Sequence, residues 1–407
     1  MINLETPSKF KPLVSQAHQV ATEVFRPISR KYDLAEHEYP KELDLLASLI
    51  DGMNEGSDTG GAGAAGVRRA ANGDGSGENR NGSNLSTVLS IIELCWGDVG
   101  LLLSMPRQGL GNSAIASVAS EEQLARYGGR WAAMAITEPE AGSDSAAIRT
   151  TAELDGEEYV LNGEKIYVTS GERADLVVVW ATLDRSVGRA AIRSFIVERS
   201  NPGMKLERLE HKLGIRASDT AAFRLEDCRV PKEAMLGGER TDAKDTKEGF
   251  GGAMQTFDNT RPLVAAMAVG VARASLDETR ARLAEAGVEV DYAKPALAQS
   301  AAAARFLEME ADYEAARLLT LQAAWMADNA QPNSVQASMA KAKAGRTCVE
   351  VALGCVELCG SVGYAENELL EKWSRDAKIL DIFEGTQQIQ LLIVARALLG
   401  KSSAELK

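Results

Sequence analysis

The spacing of apolar residues changes twice along this chain and divides it into helical, strand-forming and again helical parts. Over residues 9–50, apolar side chains recur every three or four positions, which predicts amphipathic helices. A further helix is predicted over 85–96, and the Ser120-Glu-Glu-Gln segment resembles a helix start. Residues 1–130 are therefore predicted to form an N-terminal domain made of helices.

Strand signals dominate the middle of the chain, over residues 131–235. Asp155-Gly156 and Asn162-Gly163 are both hairpin-turn pairs, with short alternating segments between and around them. Further strands are predicted at 175–183, 190–199 and 221–230. Short strands at this spacing predict a small β-barrel or sandwich, which we place at 131–245.

From about residue 248 the helical pattern returns and continues to the C-terminus. Four long helical segments are predicted, at 262–287, 300–328, 334–360 and 389–399. Long helices with short connections predict an antiparallel four-helix bundle over 246–407. The predicted fold class is therefore α+β and multidomain, in the order helices, β domain, helical bundle.

A glycine-rich stretch at 51–84 interrupts the first helical part. It holds ten glycines and few side chains that could pack, so we predict a flexible insertion. The segment from Gly61 to Gly66 matches the G-x-G-x-x-G pattern of dinucleotide-binding folds. That pattern is informative only between a strand and a helix, and here polar residues precede it, so we reject it.

Composition excludes several classes of function. The net charge of −13 disfavours nucleic acid as a partner, because an acidic surface repels phosphates. The first residues lack the apolar core of a secretory signal, and no apolar run is long enough to predict a membrane span. We expect a cytoplasmic protein.

The cysteines and histidines indicate neither disulfides nor a metal centre. None of the five cysteines forms a C-x-x-C pair, and Cys348, Cys355 and Cys359 fall on one helix face as expected for buried free thiols. The three histidines, His18, His37 and His211, are scattered without zinc-site spacing, so no metal is predicted.

Two motifs in the β part could bind a ligand. The segment from Met134 to Asp144 ends a strand in a turn with Thr137, Gly142 and Ser143, which suits an anion or cofactor but also an ordinary loop. In the segment 165–171, an aromatic residue and a threonine two positions on share a strand face. They could pack on a flat ring, although such residues also simply favour strands.

Three motifs in the helical part also have both a structural and a functional interpretation when each is considered alone. Asp258 and Arg261, three apart, either pair on a helix face or line a ligand mouth. The segment 359–364 holds Gly360 and Gly363, and either could end a helix or admit a ligand. Glu384 follows an apolar run, where it either marks a helix boundary or acts as a base with a raised pKa.

Together these motifs resemble the acyl-CoA dehydrogenase family of FAD flavoproteins. The matching segments are MAITEPEAGSD, GEKIYVTSG, KLGIRASDT, FDNTRP, RDAKILDIFEGTQQIQ and the final VAR, in the family's order from about residue 121 to 396. The α–β–α order predicted from periodicity is also the family's architecture. The resemblance implies FAD bound between the β domain and the C-terminal bundle.

Residue by residue, the resemblance implies two sets of contacts and one base. The implied FAD contacts are Met134, Ile136, Thr137, Gly142, Ser143, Tyr167, Val168, Thr169, Glu357, Gly360, Ser361, Thr386 and Gln388. The implied substrate contacts are Ser143, Phe257, Asp258, Arg261, Gly385 and Arg396. Glu384 matches the family's catalytic base. Some branches carry the base just before the arginine of the helix motif, but here that residue is Thr260, which cannot act as one.

The implied reaction is α,β-dehydrogenation of an acyl-CoA thioester to the trans-2-enoyl-CoA. Glu384 would remove the α-proton while flavin N5 accepts the β-hydride, and an electron-transfer flavoprotein would reoxidise the flavin, as in fatty-acid β-oxidation. The implied assembly is a homotetramer or dimer of dimers. An acyl-CoA oxidase, using O2, is an alternative within the same fold. Two others are disfavoured: a non-catalytic subunit by the intact Glu384, and a DNA-associated relative by the negative charge.

One part of the family pattern is missing. Relatives carry an Arg-x-x-Phe-Gly segment that reaches the FAD phosphates of a neighbouring subunit, whereas residues 284–295 here contain neither arginine nor phenylalanine. Glu357 stands where relatives commonly have Gln, and Ser361 where they have Gly. We therefore expect either an altered FAD contact or a mixed tetramer, in which a second, related chain supplies the missing group.

Overall fold

A computed structural model of the protein describes residues 6–55, 81–107, 109–237, 250–402 and 405. For 49–55 and 250–259 the description is limited to the backbone. Most of the predicted glycine-rich insertion, residues 56–80, lies outside the described residues. The described elements follow the predicted order of helices, sheet and helices.

The first part of the chain is helical, as predicted. Its helices are α1 (Lys11–Val20), α2 (Arg26–Leu34), α3 (Glu42–Glu55), α4 (Ser83–Gly97), α5 (Val99–Leu103), α6 (Leu110–Val118) and α7 (Glu121–Tyr127), with a π-helical turn at Ala21–Phe25 between α1 and α2. The predicted helix start at Ser120 is confirmed. Its hydroxyl accepts from the Gln123 amide, and the Gln123 side chain accepts from the Ser120 amide, which closes a capping box.

The middle part forms one seven-stranded sheet that curls into a half-barrel. Its strands are β1 (Ala132–Ala135), β2 (Thr151–Asp155), β3 (Glu158–Thr169), β4 (Leu176–Thr182), β5 (Ile192–Glu198), β6 (Met204–Leu209) and β7 (Thr220–Pro231). The strand order is β1-β4-β2-β3-β7-β6, and β5 pairs with β4. β4 is buried along its whole length, as its unbroken apolar sequence requires.

One of the two predicted hairpin turns is present and the other is wrong. Gly156, at φ 64°, lies in the turn that joins β2 to β3 in antiparallel pairing. Asn162-Gly163 instead lies inside β3, at an irregularity in its pairing with β7. Gly163 is needed there because a Cβ would overlap Thr150, and the Asn162 side chain accepts from the Asp227 amide. The β6 strand was not predicted.

The C-terminal part holds the four predicted helices and a fifth that was not predicted. They are α8 (Phe250–Glu285), α9 (Ala301–Asp328), α10 (Ser334–Tyr364), α11 (Leu370–Leu380) and α12 (Gln387–Leu399). The prediction that a glycine ends a helix here is confirmed at Gly360, where one helical segment stops and a second begins. Gly360 has a φ of 55° and a ψ of −129°, which are not helical, and the short second segment of α10 continues to Tyr364.

Helix α10 is the one helix in the described ranges that is long and apolar enough to cross a bilayer, with a mean hydropathy of 1.3. It packs against α8, α9 and α11 and buries Lys341 and Cys348. Length and apolar composition are weak indications of a span, because the central helix of a bundle has the same properties.

A buried ionic cluster ties α11 to the rest of the molecule. The ammonium of Lys372 lies 2.8 Å from Asp98 and 2.6 Å from Asp376, and all three side chains are excluded from solvent. Asp376 also accepts from the amide of Ile215, in the connection between β6 and β7. Asp98 belongs to the N-terminal helices, Ile215 to the β domain, and Lys372 and Asp376 to α11, so the cluster joins all three parts of the chain. Helix α11 leads directly into the loop that carries Glu384.

Candidate active site

Glu384 lies in the tight loop between α11 and α12, where the backbone is held in an uncommon conformation. Its φ is 51° and that of Gly385 is 90°. A residue with a side chain is strained in the left-handed region, at a cost of about 1–3 kcal/mol. At Gly385 a Cβ would also overlap the side-chain amide of Gln390, which would have to move away and give up its place in the loop.

Two buried side chains hold this loop by its carbonyl groups. The ammonium of Lys341, from α10, donates to the Gly385 carbonyl at 2.6 Å. The amide of Gln390, from the first turn of α12, donates to the Glu384 carbonyl at 3.1 Å. Strain persists only where the surroundings over-determine it, and these bonds supply that constraint.

The Glu384 carboxylate is enclosed by polar groups from α8 and α10. Thr260 donates its hydroxyl to Glu384 Oε2 at 2.6 Å. Burial raises the pKa of the Glu384 carboxyl above its ordinary value, while the Thr260 hydrogen bond and the charges of Lys341 and Arg261 act against that rise. Burial also lowers the pKa of Lys341 to about 8. A carboxylate with a raised pKa in a fixed position suits proton abstraction.

Lys341, Gln390 and the Thr260 contact were not predicted. Lys341 is separated from Gly385 by the rest of α10 and by α11, and no local pattern links the two residues. Thr260 was considered only as a residue that cannot act as a base. A lysine on the buried face of an otherwise apolar helix was the one available signal, since buried lysines are rare without a partner.

The loop after β1 is locked by a buried ion pair. Lys165 donates to Glu138 at 2.7 Å, and Glu138 also accepts from the amides of Arg149 and Thr150. Ile166 donates its amide to the carbonyl of Thr137 at 2.9 Å. These bonds anchor both ends of the turn, whose tip is exposed.

The tip of this turn leaves room for a ligand. Gly142 and Ser143 are both exposed, and a Cβ built at Gly142 meets no atom within 4 Å. Thr137 and Met134 are partly buried, whereas the Ile136 side chain is buried against Trp180. The Ile136 side chain therefore belongs to the core, and its backbone is the part available to a cofactor.

The end of β3 offers an exposed aromatic ring. A register shift precedes Val168, and Tyr167 there adopts φ 57° with 62% of its surface exposed. Thr169 is partly buried, while Val168 is fully buried in the β core, so its side chain cannot flank a ring. The hydroxyl of Thr220, paired with Thr169 across the sheet, is buried with no hydrogen-bond partner among the described residues. An exposed aromatic ring beside an unused hydroxyl fits a flat polar ring such as a flavin.

The remaining predicted contacts lie on the helices. Glu357, Gly360 and Ser361 are all exposed on α10. Thr386 caps α12 by accepting from the Ile389 amide, and Gln388 is exposed. Arg261 is buried close to Glu384. Arg396 is partly buried on α12. Phe257 and Asp258 lie in α8, and their side chains are outside the described part.

The sequence matches two family models that together span both the sheet and the bundle. The acyl-CoA dehydrogenase middle domain matches residues 133–228, and the acyl-CoA dehydrogenase C-terminal domain matches residues 247–399. The two matches contain all the site residues described above.

Curated relatives are similar over most of their length. A short-chain specific acyl-CoA dehydrogenase from Clostridium acetobutylicum is 36% identical over 77% of this chain and 82% of its own. The CarC subunit of the caffeyl-CoA reductase-Etf complex from Acetobacterium woodii is 34% identical over 79% of this chain and 84% of its own.

Solved structures show the same architecture. Butyryl-CoA dehydrogenase from Megasphaera elsdenii superposes with a TM-score of 0.80 at 30% identity, covering 98% of this chain and 100% of that one. The prolyl acyl carrier protein oxidase AnaB superposes with a TM-score of 0.80 at 27% identity, covering 97% and 100%. The described chain therefore has N-terminal helices, a β half-barrel and a helical C-terminal domain, and it belongs to the acyl-CoA dehydrogenase family of FAD-dependent oxidoreductases.

Proposed function

We propose that this protein dehydrogenates a short acyl-CoA thioester between its α and β carbons, with Glu384 as the base. The observation that carries the proposal is the Glu384 carboxylate itself, which is raised in pKa by burial and fixed by Thr260 on a strained loop. The short-chain preference is supported by the names of the similar relatives, which include short-chain specific and butyryl-CoA enzymes.

Removing the α-proton requires a base and a donor for the thioester carbonyl. Glu384 supplies the base through its carboxylate. Among the described residues no acceptor is bonded to the Glu384 amide, whereas the neighbouring amides of Phe383 and Gln387 donate to the carbonyls of Ile379 and Asp381. The Glu384 amide can therefore donate to the thioester oxygen as enolate charge develops, a type of contact that contributes about 3–4 kcal/mol in other enzymes.

Bound FAD supplies the acceptor for the β-hydride. In this chain, Tyr167 and Thr169 at the end of β3 and Thr137 after β1 would hold and orient it, with Gly142 and Ser143 leaving room at the turn. The buried Lys165–Glu138 pair keeps both of these segments in place. Arg261, buried next to Glu384, would face the substrate and favour the ionised form of the base.

The test is anaerobic bleaching of the flavin by butyryl-CoA. Glu384→Gln keeps the shape of the side chain but cannot accept the proton, so we expect FAD to remain bound and bleaching to stop. Glu366→Gln, at an exposed position between α10 and α11, is the matched control and should bleach normally. Normal bleaching by Glu384→Gln would show that another group is the base.

The electron acceptor is proposed to be an electron-transfer flavoprotein, because a similar relative is named as a subunit of an Etf complex. The alternative is reoxidation by O2, since the similar AnaB structure is titled an oxidase. Stoichiometric peroxide release in air without any added acceptor would favour the oxidase. Slow reoxidation in air together with fast reoxidation by an electron-transfer flavoprotein would support the dehydrogenase.

We also propose that FAD binding is completed across a subunit interface. Glu357, Gly360 and Ser361 are exposed on α10, next to Tyr364, which is 80% exposed. Exposed groups of this kind can reach a cofactor held by another chain, in a homotetramer, a dimer of dimers or a mixed tetramer. One FAD per chain in protein purified alone would rule out the need for a second kind of subunit. The proposed location is the cytoplasm, which cell fractionation would test.

A further inference from the structure

Two of the three histidines of this chain meet at one point on the protein, although they are far apart in sequence. His37 lies in the connection between α2 and α3, and His211 lies in the connection between β6 and β7. With Glu36 they form a group whose possible ligand atoms all lie within 4.8 Å of one another. Two imidazoles and one carboxylate are ligands that Zn²⁺ takes in proteins.

The imidazole of His37 has no other role in the described part of the molecule. Both of its ring nitrogens are shielded from solvent, and neither has a hydrogen-bond partner there. Buried polar atoms in folded proteins nearly always have a partner, so two unsatisfied nitrogens on one ring call for a ligand. The rings of His37 and His211 lie edge to face with their centroids 5.0 Å apart.

The backbone presents His37 in a fixed position. Its φ of 69° is left-handed, which is uncommon for a residue with a side chain. The Arg173 guanidinium donates to the His37 carbonyl at 3.1 Å, and the His37 amide donates to the Arg216 carbonyl at 3.5 Å. His37 is therefore held in place by its main chain, while its two ring nitrogens have no hydrogen-bond partner among the described residues.

The carboxylate of Glu36 is oriented in advance. One oxygen accepts from the Lys212 amide at 3.1 Å, and the other lies 2.8 Å from Nδ1 of His211. Groups that orient a ligand in this way are a regular feature of metal sites. A Glu–His pair alone would explain this contact, but it would leave the ring of His37 unexplained.

Two cations lie nearby, and each has partners of its own. Lys212 donates its ammonium to the carbonyl of Ser218 at 2.8 Å, and Arg173 is paired with Asp219 at 3.4 Å. With neutral imidazoles, the charge available to a divalent ion comes from Glu36. We expect moderate affinity, because the two cations reduce the negative potential at the site.

We propose that Glu36, His37 and His211 bind a divalent transition-metal ion of the Zn²⁺ class, with at least one coordination position left to water. Such an ion would join the α2–α3 connection to the β6–β7 connection, and so link the N-terminal helices to the β domain. Anything that binds the folded state alone raises its stability. The expected role is therefore structural and independent of the proposed acyl-CoA chemistry.

The experiment titrates Zn²⁺ into the tag-free, FAD-loaded full-length protein after removal of metals with a chelator. Calorimetry gives the stoichiometry, Co²⁺ absorption reports the ligand geometry, and thermal unfolding measures the stabilisation. His211→Gln removes an exposed ligand, and His37→Asn removes the partly buried one and replaces it with a residue that tolerates a positive φ. His18→Gln is the matched control, since His18 pairs with Glu93 at 2.9 Å but has no second histidine beside it.

We expect one Zn²⁺ per chain and a raised Tm for the wild type and for His18→Gln. For His211→Gln and His37→Asn we expect the affinity for Zn²⁺ to fall by about 10-fold or more, since losing even a group that only supports a metal ligand has an effect of that size. In these two variants we expect no rise in Tm on adding Zn²⁺. All five cysteines are kept in every variant, so binding through thiols would persist in both ligand variants. Such persistence, or no saturable binding by the wild type, would overturn the proposal.

Discussion

The strain at Glu384 makes Lys341→Met an informative variant. The Lys341 ammonium donates to the Gly385 carbonyl at 2.6 Å, and the one other donor to that carbonyl among the described residues, the Gln390 side-chain amide, is more distant at 3.4 Å. A hydrogen bond from a charged group contributes about 1.5–3 kcal/mol. The positive φ at Glu384 costs about 1–3 kcal/mol. The free energy contributed by the Lys341 hydrogen bond is therefore about as large as the strain that the bond holds in place.

We therefore expect the base to leave its reactive position in part of the molecules. Since about 1.36 kcal/mol corresponds to a tenfold change in rate, the loss amounts to about 10- to 150-fold in the rate of flavin reduction. The assay is stopped-flow bleaching by butyryl-CoA without oxygen, with the rate expressed per bound flavin. Lys343→Met is the control, because Lys343 lies on the same helix but pairs with Asp312 at the surface.

The same variant has a distinct pH signature. Burial lowers the pKa of Lys341 from 10.5 to about 8, so the folded protein binds this proton more weakly than the unfolded chain. That penalty is fully present below about pH 8 and disappears as the pH rises towards 10.5, so wild-type stability gains from this group over that window. We expect Lys341→Met to lack this rise in stability between about pH 8 and 10.5. At pH 7 we expect little change in Tm, because the substitution removes both the cost of burying the charge and the hydrogen bond that offsets it. A variant with full flavin content, wild-type Tm and a wild-type bleaching rate would refute the assignment of Lys341 as a positioning residue.

Three further predictions test other parts of the structure. In Thr260→Val the hydroxyl that lowers the pKa of Glu384 is lost, so the acid limb of the kcat/KM profile should move to higher pH; an unchanged limb would contradict the contact. Gly163→Ala should lower the free energy of unfolding by about 1–3 kcal/mol, because the new methyl group overlaps Thr150 and the φ of 154° strains a residue with a side chain; denaturant titration would detect the loss. Lys372→Met should cost about 3–5 kcal/mol by leaving two buried aspartates unpaired, whereas the surface variant Lys378→Met should unfold close to wild type.

Secondary structure was predictable where a local signal matched the final environment. The capping box at Ser120 and the hairpin at Gly156 follow from residues that are neighbours in the chain. Asn162-Gly163 carries the same turn signal, but there the glycine serves a close approach between strands. The short helix α11 was missed because two charged residues, Lys372 and Asp376, lie on its buried face, where a helical pattern is expected to have apolar side chains.

The residues of the candidate site also fall into those that the local sequence indicated and those that it did not. Glu384, Thr137 and Thr169 stand in motifs that resemble the family, so the sequence indicated them. For Val168 and Ile136 the motif was matched but the side chains turned into the core. The side chain of Asp258 lies outside the described part, so its contact with substrate remains a prediction.

Periodicity and turn chemistry by themselves determined the α–β–α architecture, and the resemblance of the motifs to the family indicated the flavin class of enzyme and Glu384 as the candidate base. These properties depend on residues close together in the chain, where spacing fixes which side chains share a face. Only the tertiary structure decided that Lys341 holds the loop of the base, that Thr260 bonds its carboxylate, and that His37 meets His211. Those contacts join positions from different elements, and they exist only because the packing of buried faces brings the elements together.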